Sequence, residues 1–191
     1  MQYVILAAGM GTRLCAITKN EIHKCLVNHK EKPIIFHFLD KLTENDKITI
    51  IVGHLKEQVM DRIKNNFPNL NINFIENSEF KNTGTAHSLW LAKEHGKDGF
   101  IYANADLVPD SRFFEHLKKD GSVMFVDKNI LFRNNLIKFS KEAANALFTL
   151  PHDKNECAYD RIFKIMGEHH FHTVDISDYT WREIDEPIDL K

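Results

Sequence analysis

Short apolar runs alternate with amphipathic stretches along the first two-thirds of the chain, and this alternation constrains the fold more than any other feature. The apolar runs occupy residues 3–8, 48–53, 72–76, 99–106 and 122–127. Stretches with helical periodicity lie between them, at residues 34–42, 55–67, 85–95 and 111–119. Apolar strands separated by helices of this length are typical of βαβ units. The sequence therefore predicts an α/β fold with a mainly parallel sheet flanked by helices.

The last third of the chain has weaker patterns. Residues 141–150 and 159–167 have helical periodicity, residues 170–176 alternate like an edge strand, and residues 181–184 form one more candidate strand. The histidines at positions 169, 170 and 172 have no carboxylate or cysteine at a convincing ligand spacing, which favours an exposed strand over a metal site. No linker, repeat or low-complexity segment divides the chain, so we expect one domain over residues 1–191.

Composition excludes several classes of protein. The chain has 191 residues, 43% of them hydrophobic and 27% charged, with a net charge of -2, which argues against nucleic-acid binding. It has no run of roughly 18–20 apolar residues, as a membrane-spanning helix requires, and no basic region at its start that would indicate a signal peptide. Its three cysteines lack CxxC spacing. We therefore expect a cytoplasmic protein that binds neither nucleic acid nor a membrane.

A glycine-rich segment, "ILAAGMGTRLCAITKNEIHKCL", follows the first apolar run at residues 5–26. Gly9 and Gly11 allow the backbone to approach an anion closely, although a tight strand-to-helix turn would also use them. The dinucleotide-binding fingerprint requires a third glycine where this chain has Leu14, and the Walker A loop requires a lysine directly after a glycine. Neither pattern fits.

The same segment resembles the signature of the nucleotidylyltransferase superfamily, in its sugar-phosphate and phosphocholine branch. That signature is a Gly-x-Gly-Thr-Arg-Leu loop followed, about ten residues later, by a lysine, which is Lys24 here. "NTGTAHSLWLA", "NADLVP" and "YTWREIDEPIDL" resemble three further family segments, in the same order. The two prolines usually found in the loop are Ala16 and His23 in this chain, a difference that concerns rigidity more than chemistry.

The resemblance implies a Rossmann-like fold of the nucleotide-diphospho-sugar transferase type. It implies a nucleotide-binding part over about residues 1–127 and an acceptor side over about residues 128–191. The residues that it places at the nucleotide are Leu6, Ala7, Ala8, Gly9, Gly11, Thr12, Arg13, Asn77, Thr85 and Ala86. It assigns catalysis to Arg13 and Lys24, and Mg²⁺ binding to Asp106 and Asp185. Arg133 and Arg161 are the candidates for contacting the acceptor.

The implied reaction moves a nucleoside monophosphate from a triphosphate to a phosphorylated acceptor and releases pyrophosphate. An acceptor phosphate, with a second pKa of about 6, is largely ionised at pH 7 and needs no general base. "GHLKEQ" after the second strand and the small size of the chain resemble phosphocholine and phosphonate cytidylyltransferases, which favours CTP. The expected acceptors are phosphocholine, an aminoalkylphosphonate, or a phosphoramidate such as phosphoglutamine.

Several alternatives stay open at this point. The chain has only "KNILFRNNLIK" between Asp127 and Phe139, where relatives carry further strands that shape the acceptor side. The acceptor pocket is then abbreviated, or it is completed by the C-terminal helices or by a second subunit in a homodimer. A non-catalytic nucleotide-binding module is the alternative of another class. A sugar-1-phosphate nucleotidylyltransferase is the second enzymatic hypothesis. Asp106 could instead cap a helix, and Lys24 and Asp185 could be solvated surface charges.

Overall fold

The computed structural model of the chain describes residues 1–129 and 132–190, and only the backbone of residues 132–134. The strands are β1 (Gln2–Ala7), β2 (Asn28–His29), β3 (Lys32–Pro33), β4 (Lys47–Val52), β5 (Asn71–Glu76), β6 (Phe100–Asn104), β7 (Leu107–Val108), β8 (Ser122–Asp127), β9 (Phe132–Phe139), β10 (Phe171–Asp175) and β11 (Arg182–Glu183). The α-helices are α1 (Cys15–Thr18), α2 (Ile34–Leu39), α3 (Lys56–Asn66), α4 (Thr85–Leu91), α5 (Lys93–Gly96), α6 (Arg112–Leu117), α7 (Lys141–Thr149) and α8 (Ala158–Met166). Short 3₁₀ helices span Thr12–Leu14, Lys24–Leu26 and Pro187–Leu190.

The described residues form a seven-stranded central sheet in the order β10-β8-β9-β6-β1-β4-β5. Strand β1 pairs in parallel with β4 and β6, and β4 pairs in parallel with β5. The predicted α/β fold, a mostly parallel sheet with flanking helices in a single domain, is confirmed. The five apolar runs of the first two-thirds correspond to β1, β4, β5, β6 and β8. The helix predicted over residues 85–95 is interrupted at Ala92, which separates α4 from α5.

Strand β9 is the element that the sequence analysis missed. It lies between β6 and β8 and is antiparallel to both, in the interior of an otherwise parallel arrangement. Its sequence begins "FRNN", which lacks the apolar alternation of a buried strand. One neighbour, β8, directly precedes it in the chain, and the other, β6, lies on its opposite side. The edge strand predicted over residues 170–176 is confirmed as β10 at one end of the sheet.

Helices cover both faces of the sheet. Alternate residues of β1 enter separate cores: Tyr3 and Ile5 pack on one side, and Val4 and Leu6 on the other. The first core also contains Phe38, Val59 and Phe113 of α2, α3 and α6, whereas the second contains Leu89, Leu147 and Ile162 of α4, α7 and α8. Burial of both faces explains why the central strands are continuously apolar. In the described part of the chain, no helix has the length and hydropathy needed to cross a membrane.

The end of the described chain returns to the carboxyl end of the sheet. Strand β11 pairs antiparallel with β7, so that Glu183 lies opposite Leu107. The N–H of Ile184 then donates to the carbonyl of Asp106 at 3.0 Å. Asp106, which follows β6, and Asp185, which follows β11, are thereby held side by side although 79 positions separate them in the sequence.

Arg161 of α8 fixes the segment that follows α7. Its side chain is 1% exposed, and its guanidinium donates to the carbonyls of Leu147, Leu150 and Pro151 at 3.0, 2.7 and 2.8 Å. Glu156 lies within 3.4 Å of the same guanidinium. A Cβ placed on Gly84 would lie 2.2 Å from the carbonyl oxygen of Glu156, so this segment rests directly on the start of α4.

We expect Arg161→Met to lower the free energy of unfolding by about 3 kcal/mol, because three buried carbonyls and Glu156 lose their donor. Denaturant unfolding followed by circular dichroism measures this change. Lys164→Met is the matched control, since the exposed Lys164 contacts the same Glu156 from the surface and should contribute less than about 1 kcal/mol. Equal effects of the two substitutions would contradict the role of Arg161 in stabilising the segment after α7.

Candidate functional site

One cavity of about 840 Å³ opens at the carboxyl ends of β1 and β6, between the glycine loop (residues 9–14) and the starts of α4 and α8. The residues that line it are Leu6, Ala7, Ala8, Gly9, Gly11, Thr12, Arg13, His23, Lys24, Cys25, Thr85, Ser88, Tyr102, Asn104, Ala105, Asp106, Asn135, Cys157, Tyr159, Phe163, Glu183 and Asp185. Most of the residues proposed from the sequence are among them. The carboxyl ends of parallel strands are the expected position of a ligand site in such a sheet.

The glycine loop brings backbone amides to the cavity wall. Gly11 has a φ of +61°, a left-handed conformation that favours glycine. A Cβ on Gly11 would lie 2.7 Å from the Cβ of Lys24, so the loop and the lysine are packed directly against each other. The first hydrogen bond of the following 3₁₀ turn runs from the N–H of Leu14 to the carbonyl of Gly11, which leaves the amides of Thr12 and Arg13 without a partner inside that turn.

Lys24 joins the two aspartates that the sequence analysis proposed as metal ligands. Its ammonium lies 2.5 Å from Oδ2 of Asp106 and 2.5 Å from Oδ1 of Asp185. Burial opposes the charge of Lys24, but the two carboxylates outweigh it and raise the pKa of this lysine. Arg13 lies 3.0 Å from the same oxygen of Asp185 and is largely exposed. Asp106 therefore does not cap a helix, and Lys24 and Asp185 are not solvated surface charges.

The aspartate pair has the donor chemistry that a magnesium ion requires. Both carboxylates converge on a cation, here the ammonium of Lys24, and the second oxygen of Asp106 is buried without a hydrogen-bond partner. Mg²⁺ typically takes one or two carboxylates together with phosphate oxygens and water. Among the described residues, no group of three or more histidine, cysteine or acidic side chains is arranged for a metal, so phosphate and water would complete the shell.

Glu183 is a site residue that the sequence analysis did not identify. Burial, followed by the charges of Asp106 and Asp185, raises the pKa of its carboxyl to about 8, so that it carries a proton at neutral pH. Its Oε1 is buried without a hydrogen-bond partner. Its spacing in "REID" could have identified it. Glu183 lies two positions before Asp185, and alternate residues of an extended segment point to the same side.

Two of the proposed nucleotide contacts do not reach the cavity. Asn77 is buried and donates to the hydroxyls of Thr83 and Ser88 at 3.1 and 3.0 Å, so it supports Ser88, which does line the cavity. Ala86 is fully buried, and its N–H donates to the carbonyl of Glu156. Ser88 lies three residues after Thr85 on the same face of α4, a helical spacing that could have identified it.

Neither proposed acceptor contact is found in the cavity wall that the structure describes. Arg161 lies outside the cavity wall because its guanidinium is committed to the carbonyls after α7, and the side chain of Arg133 lies outside the described part of the chain. The wall on this side instead consists of Tyr102, Asn104, Asn135, Tyr159 and Phe163. The hydroxyl of Tyr102 donates to Asn104 at 2.8 Å, and the rings of Tyr159 and Phe163 are 5.5 Å apart, one helical turn from each other. Asn135 was missed because β9 was missed.

Comparison with known proteins gives a family match and partial relatives. Residues 2–129 match the family model described as nucleotidyl transferase. The chain is 36% identical over 124 residues to the bifunctional protein GlmU of Methanococcus vannielii, an alignment that covers 64% of this chain and 28% of that protein. It is 36% identical over 103 residues to the choline-phosphate cytidylyltransferase of Streptococcus pneumoniae, covering 53% and 43% of the two chains. The chain thus spans less than half the length of these two relatives.

Solved structures share the fold over nearly the whole chain. The CTP:phosphocholine cytidylyltransferase from Streptococcus pneumoniae superposes with a TM-score of 0.79 at 20% identity and covers 98% of this chain and 95% of that one. The inositol-1-phosphate CTP transferase from T. maritima superposes with a TM-score of 0.75 at 15% identity, covering 100% and 91%. At these identities the likeness establishes the fold.

We expect Lys24→Met to strengthen the binding of Mn²⁺, added without nucleotide, by about tenfold. The lysine occupies the space between the aspartates, and removing a charge about 4 Å from a cation changes its binding by roughly 1–4 kcal/mol, where 1.4 kcal/mol is tenfold. Titration calorimetry measures the dissociation constant. Lys19→Met, which removes an exposed charge nearby, should leave it unchanged. An unaltered constant in Lys24→Met would show that the lysine does not compete with the metal.

Proposed function

Because the chain belongs to the nucleotidyl transferase family, we propose that it transfers a nucleoside monophosphate from a nucleoside triphosphate to a small phosphorylated acceptor. One observation carries the proposal: the glycine loop, Lys24 and the Asp106–Asp185 pair meet in one cavity. A triphosphate is a polyanion, and this arrangement offers it backbone amides, two cationic side chains and a metal-binding carboxylate pair within one wall.

The reaction proceeds by in-line substitution at the α-phosphorus. An ionised oxygen of the acceptor phosphate forms the new bond to this phosphorus, the bond between the α-phosphorus and the bridging oxygen breaks, and pyrophosphate leaves with both bonding electrons. The amides of Thr12 and Arg13 bind the β-phosphate, and the guanidinium of Arg13 binds the leaving pyrophosphate through its paired donors. No residue removes a proton, because the acceptor is already ionised.

Lys24 neutralises the charge that gathers at the reacting phosphate. Asp106 and Asp185 would hold Mg²⁺, which would supply positive charge to the carboxylates and to the phosphate oxygens. Lys24 would then be available to the α-phosphate. The packing of its Cβ against Gly11 keeps the base of the side chain fixed while the ammonium moves. The glycine loop and the lysine therefore act as one unit.

CTP is the proposed donor. The support is the "GHLKEQ" segment, the similarity to a choline-phosphate cytidylyltransferase, and the shared fold of two structures of CTP-dependent transferases. The base and ribose are placed between the end of β1 and the start of α4, against Leu6, Ala8, Thr85 and Ser88. These residues offer backbone groups and short hydroxyls, which suit the recognition of a base by hydrogen bonds.

The acceptor is placed against the wall of amide and aromatic side chains. Among the described residues of the cavity wall, the side chains that carry positive charge are Arg13 and Lys24, since His23 is neutral. The phosphate of the acceptor therefore binds beside the reacting centre, and its organic part lies on Asn104, Asn135 and the two rings of α8. A small compound suits this wall: phosphocholine, an aminoalkylphosphonate, or a phosphoramidate such as phosphoglutamine.

A sugar-1-phosphate is the second candidate acceptor. The similarity to the UTP–glucose-1-phosphate uridylyltransferase of Haloferax volcanii, which is 30% identical over 121 residues, favours it. The amides of Asn104 and Asn135 would also suit the hydroxyl groups of a sugar.

We expect pyrophosphate release to be faster with CTP than with UTP, dTTP or GTP when phosphocholine, 2-aminoethylphosphonate, phosphoglutamine and glucose-1-phosphate are each supplied with Mg²⁺. A coupled phosphate assay measures the rate for each pair. Preferential turnover of UTP or dTTP with glucose-1-phosphate would contradict the proposed cytidylyltransferase activity and would support a sugar-1-phosphate nucleotidylyltransferase. Nucleotide binding without any pyrophosphate release would support the non-catalytic alternative.

We expect Asp106→Asn to abolish the Mg²⁺-dependent turnover and Lys24→Met to lower kcat by about 10²–10³-fold, as for the loss of one charge-stabilising donor in a dry site. Steady-state kinetics with the preferred pair measures both. Asp178→Asn removes an exposed carboxylate outside the cavity and serves as the control. Retention of Mg²⁺-dependent activity in Asp106→Asn would remove that residue from the metal site.

A further inference from the structure

His23 immediately precedes Lys24 and lines the cavity, although its side chain is only 3% exposed. Its Nδ1 accepts a hydrogen bond from the N–H of Cys25 at 3.2 Å and lies 3.0 Å from the sulfur of Cys25. The imidazole thus caps the 3₁₀ turn Lys24–Leu26 that carries the lysine. Because Nδ1 accepts from a backbone amide, the ring proton resides on Nε2.

The imidazole also lies beside the beginning of the glycine loop. Nε2 is buried without a hydrogen-bond partner, and the backbone carbonyls of Ala7 and Gly9 lie close to the ring. Burial, with smaller contributions from His54 and Lys24, lowers the pKa of His23 to about 4, and the two carbonyls oppose this shift only in part. The ring is therefore neutral at physiological pH.

The backbone of His23 is also fixed. Its φ of -63° is the value that a proline imposes, in a position where the sequence analysis expected a proline. A proline has no N–H, whereas the N–H of His23 donates to Oε1 of Gln58 on α3 at 2.8 Å, and Nε2 of Gln58 donates to the carbonyl of Glu21 at 2.8 Å. The turn before the lysine is thereby attached to a helix of the main fold.

We propose that His23 is a positioning residue that sets the placement of Lys24 relative to the glycine loop. Nδ1 holds the turn that carries the lysine, and the ring lies beside the strand end from which the loop begins. The direct packing of Gly11 on Lys24 joins the same two segments. This role rests on the proposed function, because Lys24 needs a fixed position only if it acts on the phosphates. The hydrogen bonds of His23 hold the turn in place, which the backbone angle of a proline alone would not do.

Substitutions at position 23 separate this role from simple packing. His23→Leu fills the space without hydrogen bonds, His23→Asn keeps an acceptor near the position of Nδ1, and His23→Pro keeps the backbone angle alone. We expect His23→Leu and His23→Pro to lower kcat for CTP and the preferred acceptor by about 100-fold, the effect of a displacement of about 1 Å. His23→Asn should recover most of this loss of kcat. His29→Leu, at an equally buried histidine outside the cavity wall, should leave kcat unchanged.

A double-mutant cycle in CTP binding tests the same inference without turnover. Calorimetric titration with CTP and Mg²⁺ should show that His23→Leu weakens binding in the wild-type background and has no further effect in Lys24→Met, since His23 acts through the lysine. Additive effects, or a kcat of His23→Leu equal to that of His29→Leu, would overturn the proposal. A wild-type protein that binds CTP but releases no pyrophosphate overturns the proposed function alone, and the cycle still decides the role of His23.

Discussion

The contact of Lys24 with Asp106 and Asp185 is the interaction on which the arrangement of the site depends. It joins a turn near the start of the chain to two segments that lie 82 and 161 positions further along. A half-buried ammonium and two half-buried carboxylates are stable only when they are paired, because each alone would carry an uncompensated cost of desolvation. The parallel sheet makes the pairing possible, since it brings the ends of β1 and β6 to one edge and the β7–β11 ladder carries Asp185 to the same place. The pairing of these three charges is therefore required both for this part of the fold to be stable and for the site to be assembled.

The sequence predicted best what is encoded locally. The glycine loop and Lys24 are defined by spacing within one short segment, and the structure brings them to one cavity wall. Asn77, Ala86 and Arg161 lie outside the cavity wall because each is held by hydrogen bonds that no local motif indicates: to a helix face, to the segment after α7, and to three carbonyls that need a donor. Strand β9 was missed for a different reason, because its first residues, "FRNN", lack the apolar alternation of a buried strand, although β8 directly precedes it in the chain. Asn135 could not be placed at the cavity without that strand.

Two helical turns begin near the cavity, and their backbone amides differ in whether they are already bonded. At the start of α4, the N–H groups of Gly84 and Ala86 donate to the carbonyls of Lys154 and Glu156, and the hydroxyl of Thr85 accepts from the N–H of Ala158. The segment after α7, held in place by Arg161, thus occupies the helix start that could otherwise bind an anion. The amides of Thr12 and Arg13 have no such partner within their turn. This difference supports the proposal that phosphate binds at the glycine loop and the base beside the short side chains of α4.

The charges of the cavity explain why a metal and a nucleotide are best bound together. Arg13 and Lys24 balance Asp106 and Asp185, while Glu183 carries a proton at neutral pH, so the site has little net charge of its own. A triphosphate without metal would meet carboxylates already paired with the cations it needs. Under the proposed function, Asp106 and Asp185 would hold the metal of a metal–triphosphate complex, and its charge would take over the neutralisation of these carboxylates from Lys24. The lysine would then be available to the phosphates, so the charge balance of the site favours binding of the metal and the nucleotide together over binding of either alone.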